Sequence, residues 1–237
     1  MRAVYLKELK SYFYTATGWV FTGVFLALAS LVFYLNNLLP QSSDIAPFFS
    51  MLSYVWMLLT PILVMRLLAG EKRMMTRPLL LSSPLSPLSY LLGKYFAACT
   101  VLLLAVLLSL AYPALLSRYA PVYLPEVFTA YLGFILQGCA FIALDLAVTA
   151  PLKSTMSAAA AAFGVNLFVW LVSLLSASAS VPRAVGEAVN FLSLYGRFVP
   201  FLSAQLSFSG VLFYLLFCVC MLALAAGAEY GGRMRRT

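Results

Sequence analysis

Two ionisable side chains stand inside long apolar runs of this chain: Arg66, in ILVMRLLAG, and Asp145, in FIALDLAVTA. A charge held in hydrocarbon is costly unless it is paired, reaches water or snorkels, so each such residue calls for a partner. If both runs are helices, Arg66 lies about four residues and Asp145 about five residues above the same end, at comparable depth for a rise of about 1.5 Å per residue. An Asp145–Arg66 ion pair would satisfy both groups at once, as a gate or a pathway element near the inner mouth. The alternatives are a plain packing pair, or two side chains that snorkel to water separately.

Other chemistry is sparse. The chain has no histidine, which removes the usual general base near neutral pH and the commonest metal ligand. Cys99, Cys139, Cys218 and Cys220 all fall in apolar runs without zinc or redox spacing and read as buried free thiols. There is no G-x-x-x-x-G-K-[ST] phosphate loop, no HExxH and no pair of carboxylates sharing a face. The expectation is a non-catalytic chain that binds no metal or cofactor itself. Passage of a cation would call for several facing carboxylates, and only Asp145 is embedded, so a proton or ion antiporter is disfavoured.

These residues must be positioned by helices in a bilayer. Of 237 residues, 64% are hydrophobic and 9% charged, with a mean hydropathy of +0.99, too apolar to cover the surface of a soluble domain. A spanning helix needs about 20 apolar residues. Six runs qualify, at 18–35, 48–69, 95–116, 127–150, 157–175 and 207–228. They are continuously apolar and not alternating, which favours helices over a barrel. The first run is long enough to span and lacks a small-x-small site after it, so no cleavable signal peptide is expected. The reading is an all-α integral membrane protein forming a single transmembrane domain over residues 1–237.

Placement of Lys and Arg sets the orientation. With the N-terminus inside, Arg2, Lys7, Lys10, Arg66, Lys72, Arg73, Arg77, Lys94, Lys153, Arg233, Arg235 and Arg236 lie on the inner side, and Arg118, Arg183 and Arg197 outside. Both termini are therefore expected in the cytoplasm. The same asymmetry accounts for the net charge of +8 as topology signals and lipid contacts, with no need for nucleic acid. Residues 181–203, half apolar and interrupted by Gly186, Gly196 and Pro200, would carry the arginine tail outside if they formed a seventh span. They read either as short interfacial or re-entrant helices on the outer face, or as an amphipathic loop on the lipid surface. Residues 1–16 place Tyr5, Leu6, Leu9, Tyr12 and Phe13 on one arc with Lys7, Glu8 and Lys10 off it, the pattern of an interfacial helix with its apolar face toward lipid, the alternative being a plain topology-setting tail. Pro61 is expected to kink the second span. Ala160 and Gly164, in SAAAAAFG, have the small-xxx-small spacing of a helix–helix or dimer face.

A longer cytoplasmic segment separates the second and third runs, AGEKRMMTRPLLLSSPLSPLSYLLGK. Its Glu71-Lys72-Arg73, Thr76, Leu79-Leu80, Pro84-Leu85-Ser86 and Gly93-Lys94 resemble a pattern, E-E-K-R-x-G-T-x-E-x-L-L-x-x-P-[VL]-[ST] followed by G-K, of permease subunits of type-2 ATP-binding-cassette (ABC) exporters. The flanks KELKSYFYTATGWVF and SLYGRFVPFLSAQLSFSGVLFYLL are similar to that family's amphipathic leading helix with first span, and to its outer re-entrant segment with last span. The gliding-motility-associated permeases are the subgroup it most resembles. The likeness in span count and topology covers nearly the whole chain, and the specific motif about 25 residues.

The resemblance implies that residues 70–94 form a coupling region whose short helix docks on a separate ATPase subunit. Glu71, Lys72 and Arg73 would pair with charges there, Leu79, Leu80 and Leu81 would anchor it, and Pro84 and Pro87 would stop the helix and turn the chain into the third span. It further implies a bacterial plasma-membrane exporter, in which two permease halves pair with an ATPase dimer that holds ATP and Mg. The sequence departs from the pattern at Gly70 and Pro78, where Glu is usual, and at Met75, where Gly is usual. Either the chain is the degenerate half of a heteromeric pair or its ATPase has co-adjusted. The competing readings are an ion-coupled secondary transporter and a non-transporting membrane subunit of a larger complex.

Overall fold

Long runs of Leu, Ala, Val and Phe satisfy their backbone polar groups internally only as helices, and the fold follows that constraint throughout. The structure is a computed structural model. It describes residues 2–14, 16–73, 87–152, 154–176 and 193–234, except for the side chains of 16, 17, 66, 68–73, 87, 175, 176 and 231–234. In chain order the elements are α1 (Arg2–Tyr14), α2 (Ala16–Phe33) continued by a π-helical turn (Tyr34–Leu38), α3 (Ala46–Arg73), α4 (Pro87–Ser109), α5 (Ala111–Leu116), α6 (Leu124–Thr149), α7 (Thr155–Ser176), α8 (Leu194–Leu202) and α9 (Phe208–Met234). No strand occurs among the described residues.

Among the described residues six stretches are long and apolar enough to cross a membrane: Gly18–Leu38, Ala46–Met65, Leu88–Leu116, Leu124–Thr149, Thr155–Leu174 and Phe208–Tyr230. They coincide with the six expected runs. Their alternation leaves α1, the end of α3, the start of α4 and the end of α9 at one end of the bundle, called here the termini end. The π-turn and α8 lie at the other. At the π-turn, Asn37 Nδ2 donates to the carbonyls of Ser42 (3.2 Å) and Asp44 (2.8 Å), and Asp44 Oδ1 accepts from the Ala46 N–H at 2.9 Å to open α3.

Helix α6 is the hub, packed against α3, α4, α7, α8 and α9. Its span window is 67% buried, against 17% for the α7 span and 28% for that of α9, so α7 and α9 form the rim. Small residues make this central position feasible. A Cβ on Gly133 would lie 2.7 Å from Phe201 Cβ, so glycine is what lets α8 seat on α6. Trp56 is buried in an aromatic cluster with Phe21, Phe25 and Phe134, at ring separations of 5.7, 5.4 and 6.1 Å.

Three sequence expectations are refined. Helix α3 runs on to Arg73 and α4 already starts at Pro87, so residues 70–73 and 87–94 of the expected coupling segment continue the spans as helix. Pro87 opens α4 at a position where its missing N–H is no loss, and whether a helix precedes it falls on residues 74–86, outside the described residues. Of residues 181–203, those up to 192 lie outside the described residues, while Leu194–Leu202 form a short helix. Ser193 Oγ caps it by accepting from the Gly196 N–H, and Leu194, Phe198, Phe201 and Leu202 are buried against the bundle. In α1 the face turned to the bundle is Val4, Glu8 and Tyr12, whereas Leu6 and Tyr14 are exposed. The expected apolar arc of Tyr5, Leu6, Leu9, Tyr12 and Phe13 faced lipid with Glu8 off it, whereas Glu8 lies on the face turned to the bundle. Apolar periodicity misplaces it because the charge is neutralised by a residue far along the chain.

Candidate functional site

That residue is Lys94, the lysine of the Gly93-Lys94 pair. It is completely buried near the start of α4, and its Nζ donates to Glu8 Oε1 at 2.9 Å and to the Leu67 carbonyl of α3. Nζ also lies 4.9 Å from the Tyr90 ring centroid. One ammonium thus joins the N-terminal helix to both helices that flank the 74–86 segment. Tyr12 Oη donates to the Leu63 carbonyl at 2.9 Å, and Tyr5 and Thr100 hydroxyls meet at 3.0 Å. Gly18 permits the tight return from α1 into α2, since a Cβ there would sit 2.5 Å from the Tyr12 carbonyl oxygen. In one sequence the only hint of this junction is Glu8 standing between Val4 and Tyr12 at a spacing of four.

Around this junction the motif residues divide. Glu71, Lys72 and Arg73 occupy the last turn of α3, with side chains outside the described residues. Thr76, Leu79, Leu80, Leu81 and Pro84 lie outside the described residues entirely.

The second constellation is in the bundle interior. Pro61 lies within α3 and has no N–H for the Met57 carbonyl one turn back. That carbonyl accepts instead from Thr60 Oγ1 at 3.1 Å and from Asn166 Nδ2 of α7 at 3.1 Å. Asn166 Nδ2 also reaches Thr60 Oγ1 at 3.3 Å. Asp145 of α6, fully buried, faces the Thr60 hydroxyl and the Asn166 amide, but neither of its oxygens is in a hydrogen bond of ordinary distance and angle. The side chain of Arg66 falls outside the described residues, so the expected Asp145–Arg66 pair does as well. Thr60 and Asn166 were not singled out in the sequence. Their role arises from the proline, which frees an acceptor that two other helices then use.

A polar seam continues from this junction toward the end opposite the termini. Ser53 Oγ donates to Gln137 Oε1 at 2.9 Å, and Ser50 and Tyr195 hydroxyls meet at 2.6 Å. Tyr195 stacks on Tyr54 at 5.1 Å, and the Ser173 and Ser193 hydroxyls are 2.8 Å apart. Tyr214 Oη donates to the Leu194 carbonyl at 2.6 Å, fastening α8 to α9.

The remaining sequence candidates fall elsewhere. Ala160 and Gly164 are exposed on the rim helix α7, with open space where a Gly164 Cβ would be. The cysteines are free thiols as expected. Cys99 and Cys218 are buried, Cys139 is half-buried with its sulfur 3.7 Å from that of Cys99, and Cys220 is exposed on the rim, contrary to its expected burial. Cys220 shares α9 with the exposed Leu215, Leu216, Val219 and Leu224. Among the described residues no group of three or more His, Cys, Asp or Glu could hold a metal ion. No protein-family model matches this chain, and no curated protein matches it.

Proposed function

We propose that this chain is the permease half of a type-2 ABC exporter, moving substrate across a bacterial plasma membrane with both termini in the cytoplasm. One observation carries the reading. The motif Glu71-Lys72-Arg73 … Pro84-Leu85-Ser86 … Gly93-Lys94 sits between the second and third of six membrane-length helices. Its last lysine is the buried ammonium that binds α1, α3 and α4 together.

In this reading, residues 70–94 dock on an ATPase subunit that binds ATP and Mg. Motion imposed there enters α3 and α4 together, because Lys94 holds Leu67 and Glu8 at the same point. Helix α1 lies along the lipid interface and moves with them. A second permease half, identical or different, faces this one, and the exposed Ala160–Gly164 stripe of α7 is where a helix could approach closely. α8 serves as the outer re-entrant element.

Co-purification tests the proposal. The full chain, co-expressed with the ABC ATPase subunit that this reading assigns to it, is expected to pull that subunit down and to stimulate its ATP hydrolysis. Replacement of Glu71–Leu81 by a Gly/Ser linker should abolish both. A chain that purifies alone and transports without ATP defeats the proposal, and so does a linker variant that still couples.

A further inference from the structure

The buried polar groups around Asp145 do not balance. Asn166 must present Nδ2 to the Met57 carbonyl, since two carbonyl oxygens would repel there, and this leaves Asn166 Oδ1 without a donor. Both Asp145 oxygens are likewise unbonded at ordinary distance and angle, and the Thr60 hydroxyl proton is already given to Met57. Three acceptor atoms, the two Asp145 oxygens of α6 and Asn166 Oδ1 of α7, are therefore buried without a hydrogen bond of ordinary geometry, and the nearby Thr60 and Asn166 hydrogens are directed to one another and to Met57. An ionised carboxylate in that position would be a buried charge without a described counter-charge, which is the arrangement proteins avoid by neutralisation or by taking up a cation.

We propose that Asp145 is an intramembrane proton-binding site. Its side chain is carried as the neutral acid, donates to Asn166 Oδ1, and exchanges its proton with the end of the bundle opposite the termini.

A proton fits better than a metal cation. The Met57 carbonyl and Thr60 hydroxyl are already engaged by the Asn166 amide hydrogens, so only the two Asp145 oxygens and Asn166 Oδ1 remain as ligands. Three oxygens are fewer than the six or so that a hard cation gathers, whereas one proton satisfies both residues together. The route is the polar seam. Thr60, Met57, Tyr54, Ser53 and Ser50 recur at turn spacing along α3, and Gln137 and Asp145 lie two turns apart on α6. Between them Ser53, Tyr54, Gln137, Trp170, Ser173 and Tyr195 line a cavity of about 10 Å³, enough for the centre of one water molecule and too small for an organic substrate.

The described titratable groups on helices packed against α6 are Tyr54 on α3, Tyr90, Lys94, Tyr95 and Cys99 on α4, Tyr195 and Arg197 on α8, and Tyr214, Cys218, Cys220, Glu229 and Tyr230 on α9, and none of them hydrogen-bonds to Asp145. Arg66 lies on α3, with its side chain outside the described residues. The step is a simple protonation. An O–H bond forms on one Asp145 oxygen, and on release the proton passes to water in the seam and leaves the carboxylate. With no second acid facing Asp145 among the described residues, the proton returns the way it came. The site is a switch and not a channel, and it stands independently of the permease reading.

Infrared spectroscopy of the purified full chain in lipid nanodiscs tests this. A carboxylic-acid carbonyl band is expected at neutral pH, lost in Asp145→Asn and shifted in frequency in Asn166→Leu. Its hydrogen–deuterium exchange is expected to slow several-fold in Gln137→Leu, with the band retained. Monodisperse elution of each variant establishes folding, and the Asn166 and Gln137 variants keep the test alive should Asp145→Asn misfold. The site assignment is overturned if no such band exists, if it survives Asp145→Asn, or if sodium removes it at fixed pH, which would mark a sodium site. Unchanged exchange in Gln137→Leu overturns the route.

Discussion

Replacing Lys94 by methionine isolates the junction at the base of the 74–86 segment. Lys94 is wholly buried and the Glu8 side chain is 11% exposed, so removing the ammonium leaves a nearly buried carboxylate with no counter-charge. Breaking such a pair from one side costs about 3–5 kcal/mol, whereas replacing both partners by apolar groups is often neutral. Glu8 has an escape that Lys94 lacks, because α1 can lift away and return the carboxylate to water. The penalty is then limited to what else docks α1. The described contacts include the hydrogen bonds of Tyr12 to Leu63 and of Tyr5 with Thr100, at about 1 kcal/mol each, together with burial of Val4 and Tyr12 at about 1.5–3 kcal/mol for a fully buried large side chain. Lys94→Met is therefore expected to shift the docked-to-undocked balance of α1 by about 3 kcal/mol, roughly a hundredfold. Amide hydrogen exchange in nanodiscs should show protection lost over Arg2–Tyr14 while α6 stays protected. The double variant Glu8→Leu/Lys94→Met should recover most of that protection. If it loses as much as the two single variants added together, the groups are not coupled and the junction argument is wrong.

Gly18→Ala places a methyl 2.5 Å from the Tyr12 carbonyl and should loosen α1 by about 1–3 kcal/mol, seen as faster exchange over the same residues. Tyr214→Phe removes a buried 2.6 Å bond to Leu194 and should cost about 1–1.5 kcal/mol, with exchange rising selectively in α8. Asn166→Ala deprives the Met57 carbonyl of one of its two donors and should lower the unfolding midpoint by an amount equivalent to about 1–3 kcal/mol in a detergent melt. Gly133→Val drives side-chain atoms into Phe201 and Phe198. It should unseat α8 while leaving the six spans intact by circular dichroism.

Helical class, span number and most boundaries were legible in the chain alone, because hydrophobic length is a local property that a bilayer enforces residue by residue. Each of the six runs overlaps a membrane-length helical stretch of the structure over most of its length. The charge asymmetry that sets the expected orientation is likewise readable by counting along the chain. Pairing across the bundle was not legible. Glu8 and Lys94 are 86 residues apart, and a carboxylate at that position reads as headgroup-facing until a buried ammonium is placed beneath it. Asp145 was visible as an anomaly, but its surroundings depend on Pro61 freeing a carbonyl on one helix and Asn166 of another turning its amide toward it. Such contacts fall to tertiary packing because hydrogen bonds and ion pairs are decided by which helix faces meet. The apolar composition that assigns each helix to the membrane leaves that choice open.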